Sequence, residues 1–399
     1  MSEQCLSHLT VVEMGHHIPG PLCSRILADL GANVIKIERP GTGDAARTIG
    51  PFFGDDPHPD KSVLFFYLNR NKKGVTLDLK TKAGVKMAKE LIAQADVLLE
   101  NFAPRVLPSL GLGFETLERI NPRLVLTSIS NFGQTGPYRD FKAVDIVEYA
   151  LSGLLYTMGE SDREPLKHGL AQSQVVAGYN AAAATLVAVY ARAALGAGQR
   201  VDVSLMESLL GIQTANPLGY AYTGGVMRRR PRVGAMYAGG IVPCQDGHVC
   251  PIGSGAQPWE NLAIMLDEPE LADPKFANPA TRAAALGELD ALLVRAFSCR
   301  GKQELFHTAQ DWRLPWSLVQ DSKDLAECPQ LKAREAFLQV EHAEMGTVHC
   351  LGFPLRMSET PWRLRLPAPT LGEHNEEVYC GRLGYSKQDL IRLREQGVV

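Results

Sequence analysis

Three sets of residues in this chain have types and spacings that could do chemistry. The first is the stretch Gly15-His16-His17-Ile18-Pro19-Gly20-Pro21. It joins a strand-like run, Leu9–Met14, to a helical pattern, Pro21–Leu30. Two imidazoles beside a helix N-terminus would meet an anion, because the free backbone N–H groups there attract negative charge. Solvated loop histidines would read the same way. The second set is cationic: Lys36 and Arg39, then Arg70, Lys72 and Lys73, then Arg105, then Lys142. In an α/β sheet the loops after the strands share one edge, where ligands bind. Cations from several such loops suit a polyphosphate, and unrelated surface charges would give the same spacing. The third set is eight cysteines: Cys5, Cys23, Cys244, Cys250, Cys299, Cys328, Cys350 and Cys380. None forms a CxxC pair, and Cys244, His248 and Cys250 lack a zinc spacing. They read as reduced structural thiols, with no metal site implied.

The elements that must position these residues alternate. Asn33–Glu38 reads as a strand stopped by Arg39-Pro40-Gly41, and a polar loop follows from Thr42 to Asp60. Gly74–Leu79, Asp96–Glu100 and Leu124–Ser130 read as strands, and Thr81–Ala95 and Phe114–Ile120 as helices. Alternating strands and helices predict an α/β domain with a mainly parallel sheet. Asp145–Met158, Val175–Leu195 and Val201–Gly211 read as helices, the second buried on most sides. Residues 221–240 are loop-like, with the basic run Met227–Arg232. Ile241–Gly253 reads as a hairpin around Asp246-Gly247. Short helices fill 255–335, Leu351–Pro361 looks extended, and Leu371–Val399 is polar and helical. The expected organisation is a large domain from 1–220 and 345–399, with a small domain at 221–344 inserted in it.

Composition narrows the function classes. Lys and Arg number 41 against 44 Asp and Glu, for a net charge of −3. That balance argues against a nucleic-acid binder. The N-terminus lacks a signal-peptide pattern, which predicts a cytoplasmic setting. Val175–Tyr190, interrupted by Asn180 and Thr185, falls short of the ~18–20 apolar residues of a membrane span. The first loop lacks the G-x-G-x-x-G spacing of a dinucleotide site. No P-loop, HExxH or GxSxG motif is present.

Longer segments then become recognisable. Ile26-Leu27-Ala28-Asp29-Leu30-Gly31-Ala32-Asn33-Val34-Ile35-Lys36-Ile37-Glu38-Arg39-Pro40-Gly41 resembles the N-terminal signature of the family III (CaiB/BaiF) CoA-transferases. Asn69–Lys73 with Leu77–Lys80, Glu100-Asn101-Phe102, Ser128–Pro137, Gly198–Ser204, Asp246-Gly247 and Ala368–His374 match in order. The resemblance implies a Rossmann-like large domain, a small α+β domain and an interlaced, ring-like dimer. It implies no tightly bound cofactor, with a coenzyme A thioester as substrate. By motif position, His16, His17, Ile18 and Pro19 would border CoA, and Arg39 would meet its adenosine phosphate end. Asn71, Lys72 and Lys73 would hold phosphates, Asn101 and Phe102 would line the pantetheine path, and Lys142 would contact CoA.

One departure dominates. The family's nucleophilic Asp attacks the acyl-CoA thioester, giving a mixed anhydride and then an aspartyl-CoA thioester. Here Gln174 stands at its position in Gly169-Leu170-Ala171-Gln172-Ser173-Gln174. A primary amide is a poor nucleophile, so no catalytic residue is expected in this chain. A basic residue expected near 109 is Ser109, and Arg105 could supply that charge from a shifted position. The resulting expectation is a subunit of a heteromeric CoA-transferase, similar to benzylsuccinate CoA-transferase. A homologous partner chain would carry the Asp, and CoA would pass from a donor such as succinyl-CoA to an acid such as benzylsuccinate. Two alternatives stay open: a homodimeric acyl-CoA enzyme using Asp145 or Glu148, and a non-catalytic CoA-binding protein. Tyr149, Leu155, Tyr156 and Met158 hint at a pocket for a bulky acid, and core packing explains them equally well.

Overall fold

The computed structural model describes residues 4–213, 216–229, 240–252 and 259–399. The basic run ending at Arg232 and the hairpin's final Gly253 fall partly outside them. Two compact units emerge. One comprises Met1–Leu155, Lys167–Tyr222 and Ala333–Val399; the other comprises Tyr156–Leu166 and Thr223–Lys332.

The first unit is built on six parallel strands in the order β3-β2-β1-β4-β5-β6. These are β1 (Thr10–Glu13), β2 (Asn33–Glu38), β3 (Lys72–Thr76), β4 (Val97–Glu100), β5 (Val125–Ser130) and β6 (Arg200–Ser204). Four of them are almost wholly buried, as strands covered on both faces must be, with Glu13 and Lys36 among their buried residues. On one face lie α3 (Lys82–Ala93), α5 (Phe114–Ile120) and the C-terminal helix Lys387–Glu395, closing over Val12, Ile35, Leu98 and Leu126. On the other lie α1 (Pro19–Asp29) and α7 (Gln172–Leu195).

Helix α1 starts on Pro19, whose fixed φ suits the first helical position, and every one of its residues is buried. Truncating the fully buried Leu27 to Ala should cost about 2–5 kcal/mol. Helix α7 crosses α1 closely because Gly178 has no side chain. A Cβ there would sit 3.0 Å from Leu22 Cδ2 and Pro19 O.

Several expected elements are corrected. Strand β3 begins at Lys72 and ends at Thr76, because Lys72 is pulled into the sheet by buried acids. Val63–Asn69 is a helix, α2, started by Ser62 Oγ accepting from Phe65 N. Helix α6 (Asp145–Leu151) stops ahead of Gly153, at φ +82°. Residues 200–204 form β6, with helix α8 only at Leu205–Gly211. Helix α7 exposes Tyr179, Val187, Tyr190 and Leu195, so it is not buried on most sides. An antiparallel hairpin, Phe337–His342 with Gly346–Leu351, belongs to the first unit, whose boundary at 333 precedes the expected 345.

The second unit holds a three-stranded antiparallel sheet of Val242–Cys244, Gly247–Cys250 and Ser317–Leu318. The two-residue turn Gln245-Asp246 joins the first two strands, one residue ahead of the expected Asp246-Gly247, and Gly247 opens the second. Short helices close over Trp259, Phe276, Phe297 and Trp316.

Candidate functional site

The strand order reverses between β1 and β4, and open parallel sheets bind ligands beyond the C-terminal ends of strands at such a point. Two loops meet there. One is Met14–Ile18, leaving β1; the other is Asn101–Arg105, leaving β4. Asn101 ties them: its Oδ1 accepts from His16 N at 2.7 Å and its Nδ2 donates to His16 O at 3.0 Å. Gly15 and Gly20 make the approach possible. A Cβ on Gly15 would lie 3.0 Å from Gly20 Cα and 3.2 Å from Asn101 Oδ1.

Buried charges hold the loop from beneath. Glu13 receives Lys36 Nζ and Lys72 Nζ, each at 2.9 Å, and Ser24 Oγ at 2.7 Å. Lys36 also donates to Gly15 O at 2.9 Å and lies 2.8 Å from Asp44 Oδ2. Lys72 donates to Pro21 O and to Asn69 Oδ1, each at 2.9 Å. Both ends of the 15–21 loop are therefore anchored by ammonium groups. Asp44 takes His17 N at 2.8 Å and Ala46 N at 2.8 Å. Burial alone would raise the Asp44 carboxyl, but Lys36 and these N–H groups hold it at about 2. Burial is likewise outweighed at Glu13 by its two lysines, so its carboxyl is lowered. Lys36 is held above its ordinary range despite burial by Asp44 and Glu13. Burial draws Lys72 down to about 8, only partly offset by Glu13.

His17 has φ +66°, a conformation most side chains avoid. The Asp44 bond to its backbone holds it, and its Nδ1 lies 2.7 Å from Gln174 Oε1. An amide oxygen only accepts, so His17 Nδ1 carries the proton and donates. Gln174 sits in the first turn of α7. Beside it, Ser173 N and Oγ donate to Asp145 Oδ1 at 3.0 and 2.6 Å. Ser173 Oγ also lies 3.0 Å from Glu148 Oε2, and Lys167 Nζ lies 2.6 Å from Asp145 Oδ2. Asp145 thus caps α7, with both oxygens engaged. Burial raises Glu148 to about 6.

A cavity of about 130 Å³ opens beside these loops. Met14, Ile37, Leu77, Phe102 and Leu110 are among its apolar lining; Arg39 and Lys80 bring positive charge, and Glu38 and Asp78 bring negative charge, the Glu38 carboxylate being taken by Arg47. The Phe102 ring lies 5.6 Å from His16. Burial and Lys36 push the His16 imidazole below its ordinary value.

His16, His17, Asn101, Phe102 and Gln174 thus come together, and Arg39 joins Phe102 at the cavity. Ile18 caps α1 and Pro19 opens it, both buried. Asn71 and Lys72 require correction as phosphate ligands. Lys72 is wholly buried and its ammonium is fully engaged. Asn71 is buried, donating to Asp29 Oδ1 and Arg363 O and accepting from Arg365 N. Arg70 is also buried, on Asp29. Lys73 is half-buried and pairs with Glu377 at 2.6 Å. Arg105 is exposed and forks onto Asp140 at 2.9 and 2.6 Å, and Lys142 is exposed. Tyr149 is buried, its hydroxyl 3.3 Å from His168 Nδ1, so it packs in the fold. Leu77–Lys80, which the resemblance marks only as a matching segment, also lines the cavity.

Comparison with known proteins decides the family. The model of CoA-transferase family III matches residues 6–375. This chain belongs to that family. The CoA-transferase is 33% identical to the succinyl-CoA–D-citramalate CoA-transferase of Chloroflexus aurantiacus, covering 99% of this chain and 98% of that protein. It is 34% identical to the formyl-CoA:oxalate CoA-transferase of Streptomyces avermitilis, over 99% of this chain and all of that one. A crystal structure of a CAIB/BAIF family protein from Brucella suis superposes with a TM-score of 0.86 at 31% identity. It covers 95% of this CoA-transferase and 99% of that chain. The CoA-transferase therefore has the α/β CaiB/BaiF fold, with its six-stranded parallel sheet and small antiparallel sheets.

Proposed function

We propose that this family III CoA-transferase is the non-nucleophilic subunit of a heteromeric enzyme. The observation that carries the reading is the seat of Gln174. It lies at the switch-point end of α7, where His17 holds its side-chain oxygen, and a carboxamide there cannot form the acyl anhydride. Asp145 and Glu148 lie close by, but both are committed to Ser173, and Asp145 also to Lys167.

In this reading the cavity at Arg39 and Lys80 takes the phosphate end of a CoA thioester, and Phe102 borders the pantetheine arm. The donor is an acyl-CoA such as succinyl-CoA and the acceptor a carboxylic acid, benzylsuccinate being the model. A homologous chain supplies the Asp in an interlaced assembly. The exposed Tyr179, Val187, Tyr190 and Leu195 on α7 support a partner, because an apolar face this long rarely stays in water. Helix α7 is long and apolar enough to cross a membrane, but its Ala177, Ala181 and Ala188 pack into the core, which supports the partner reading. Eight unpaired cysteines support a cytoplasmic setting.

The test is co-expression with a homologous chain carrying the Asp, followed by size analysis and a CoA-transfer assay. A stable mixed assembly that turns over is expected. A homodimer that exchanges CoA by itself, and loses that activity in Asp145→Asn or Glu148→Gln, would replace this reading with the homodimeric one.

A further inference from the structure

A second cavity, of about 150 Å³, lies on the other side of the segment that carries Phe102. Its lining shares no residue with the Arg39 cavity. Arg139, Arg200, Gln134, Glu100 and Glu115 supply its polar groups, with Leu107 among the apolar ones. Two guanidiniums therefore meet in one small polar space. Arg200 Nη2 reaches Gln134 Oε1 at 2.5 Å, and Gln134 N donates to Asp202 Oδ2 at 2.9 Å. Arg139 Nε is buried and donates to no acceptor among the described residues; Asp140 Oδ1, at 3.6 Å, is beyond hydrogen-bond reach. Arg200 is exposed and Arg139 half-buried, so an ion reaches the cavity without crossing the core.

We propose that this cavity is a binding site for a small oxyanion, held between the Arg139 and Arg200 guanidiniums and gated by the charge on Glu100. Planar guanidinium groups match the paired oxygens of carboxylate and tetrahedral oxyanions. Glu100 is the titrating element. Its carboxyl is buried, and burial raises it to about 7, against the opposing pull of Ser128, Phe102 N and Arg200. Its Oε2 accepts from Phe102 N at 2.8 Å. The other charges facing the space are Glu115, and Asp140 and Asp202 behind the arginines. Arg105 neutralises Asp140, so with Glu100 protonated the two arginines are matched by Glu115 and Asp202, and their donors stay available to an anion. With Glu100 ionised, the surroundings carry one further negative charge inside the cavity, and an anion is repelled. Binding therefore strengthens as pH falls through about 7.

The test uses the full chain at constant ionic strength, titrated calorimetrically with sulfate in one arm and acetate in the other, at pH 6 and pH 8. Neither probe titrates in that range, so the protein alone sets any pH effect. Saturable binding at pH 6, weaker by about tenfold or more at pH 8, is expected for at least one probe. The tighter arm identifies the site as tetrahedral-oxyanion or carboxylate. Arg139→Gln should weaken binding about tenfold at both pH values. Glu100→Gln keeps an acceptor for Phe102 N–H and should make binding equal at pH 6 and 8. Circular dichroism confirms that each variant folds, and the exposed Arg200→Gln, expected to weaken binding likewise, stands in if Arg139→Gln is not tolerated. Binding unchanged in Arg139→Gln would put the anion elsewhere and overturn the proposal. So would the absence of saturable binding, or a pH dependence that survives in Glu100→Gln.

Discussion

Lys36 and Lys72, and Arg39 and Lys80, belong to the same two strands and the loops that leave them. Lys36 and Lys72 lie within β2 and β3, wholly buried, each facing Glu13. Arg39 and Lys80 lie past the strand ends, where both are exposed and line a cavity. A few residues of displacement along a strand change what a cation does. Inside the sheet it must be neutralised, and it spends its donors on the scaffold. Past the edge it keeps its donors for a ligand. The buried pair still serves the site, because Lys36 and Lys72 hold Gly15 O and Pro21 O and so fix the loop that carries the histidines.

Four substitutions can break or sharpen this contrast. Lys36→Met leaves Asp44 and Glu13 short of a buried partner and should cost about 3–5 kcal/mol in urea unfolding. A loss below about 1 kcal/mol would mean that the network is not a scaffold. Asp44 comes next. Its carboxyl is held at about 2, below its ordinary 3.8, so the stability it adds is complete above about pH 4 and fades as pH falls toward 2. The full contribution is about 2 kcal/mol, and Asp44→Asn should flatten the acid limb of the stability profile. Arg39→Ala should leave the urea midpoint unchanged and raise the Kd for CoA about tenfold, the effect of one charge-assisted hydrogen bond. Calorimetric titration with CoA separates it from Lys36→Met. The smallest effect belongs to Arg105→Ala. Its ion pair with Asp140 is exposed, and both the melting temperature and the Kd for CoA should stay unchanged.

The same contrast explains what was legible in the sequence. Strands β1, β2, β4 and β5 show as apolar runs because both faces of a parallel sheet are covered. Strand β6 is hard to read because it runs straight into α8, so the helical pattern of Leu205–Gly211 masks the short Val201/Val203 alternation. The hairpin at 337–351 alternates too, with Gln339, Glu341, Thr347 and His349 on its open face, but only a few apolar residues mark its covered face. At the site, the alternation of strands and helices puts His16, His17 and Arg39 in loops after strands, whereas Phe102 is named only by the resemblance; the structure sets Phe102 beside His16 and, with Arg39, at one cavity. Lys72 was misplaced because burial is decided by Glu13, far off in the chain. Lys80 stands outside the basic set because the expected strand Gly74–Leu79 ends directly before it, whereas β3 stops at Thr76 and leaves Leu77–Lys80 as the loop that lines the cavity. Gln174 was legible from motif position alone, but its hydrogen bond to His17 depends on how α7 meets the first loop.

In the proposed heteromeric enzyme this chain has no nucleophile of its own. Intact-mass measurement of the isolated protein, incubated with succinyl-CoA and then quenched, tests it most directly. An unmodified mass is expected. A covalent CoA thioester on the chain, whether on Asp145, Glu148 or another carboxylate, would contradict it.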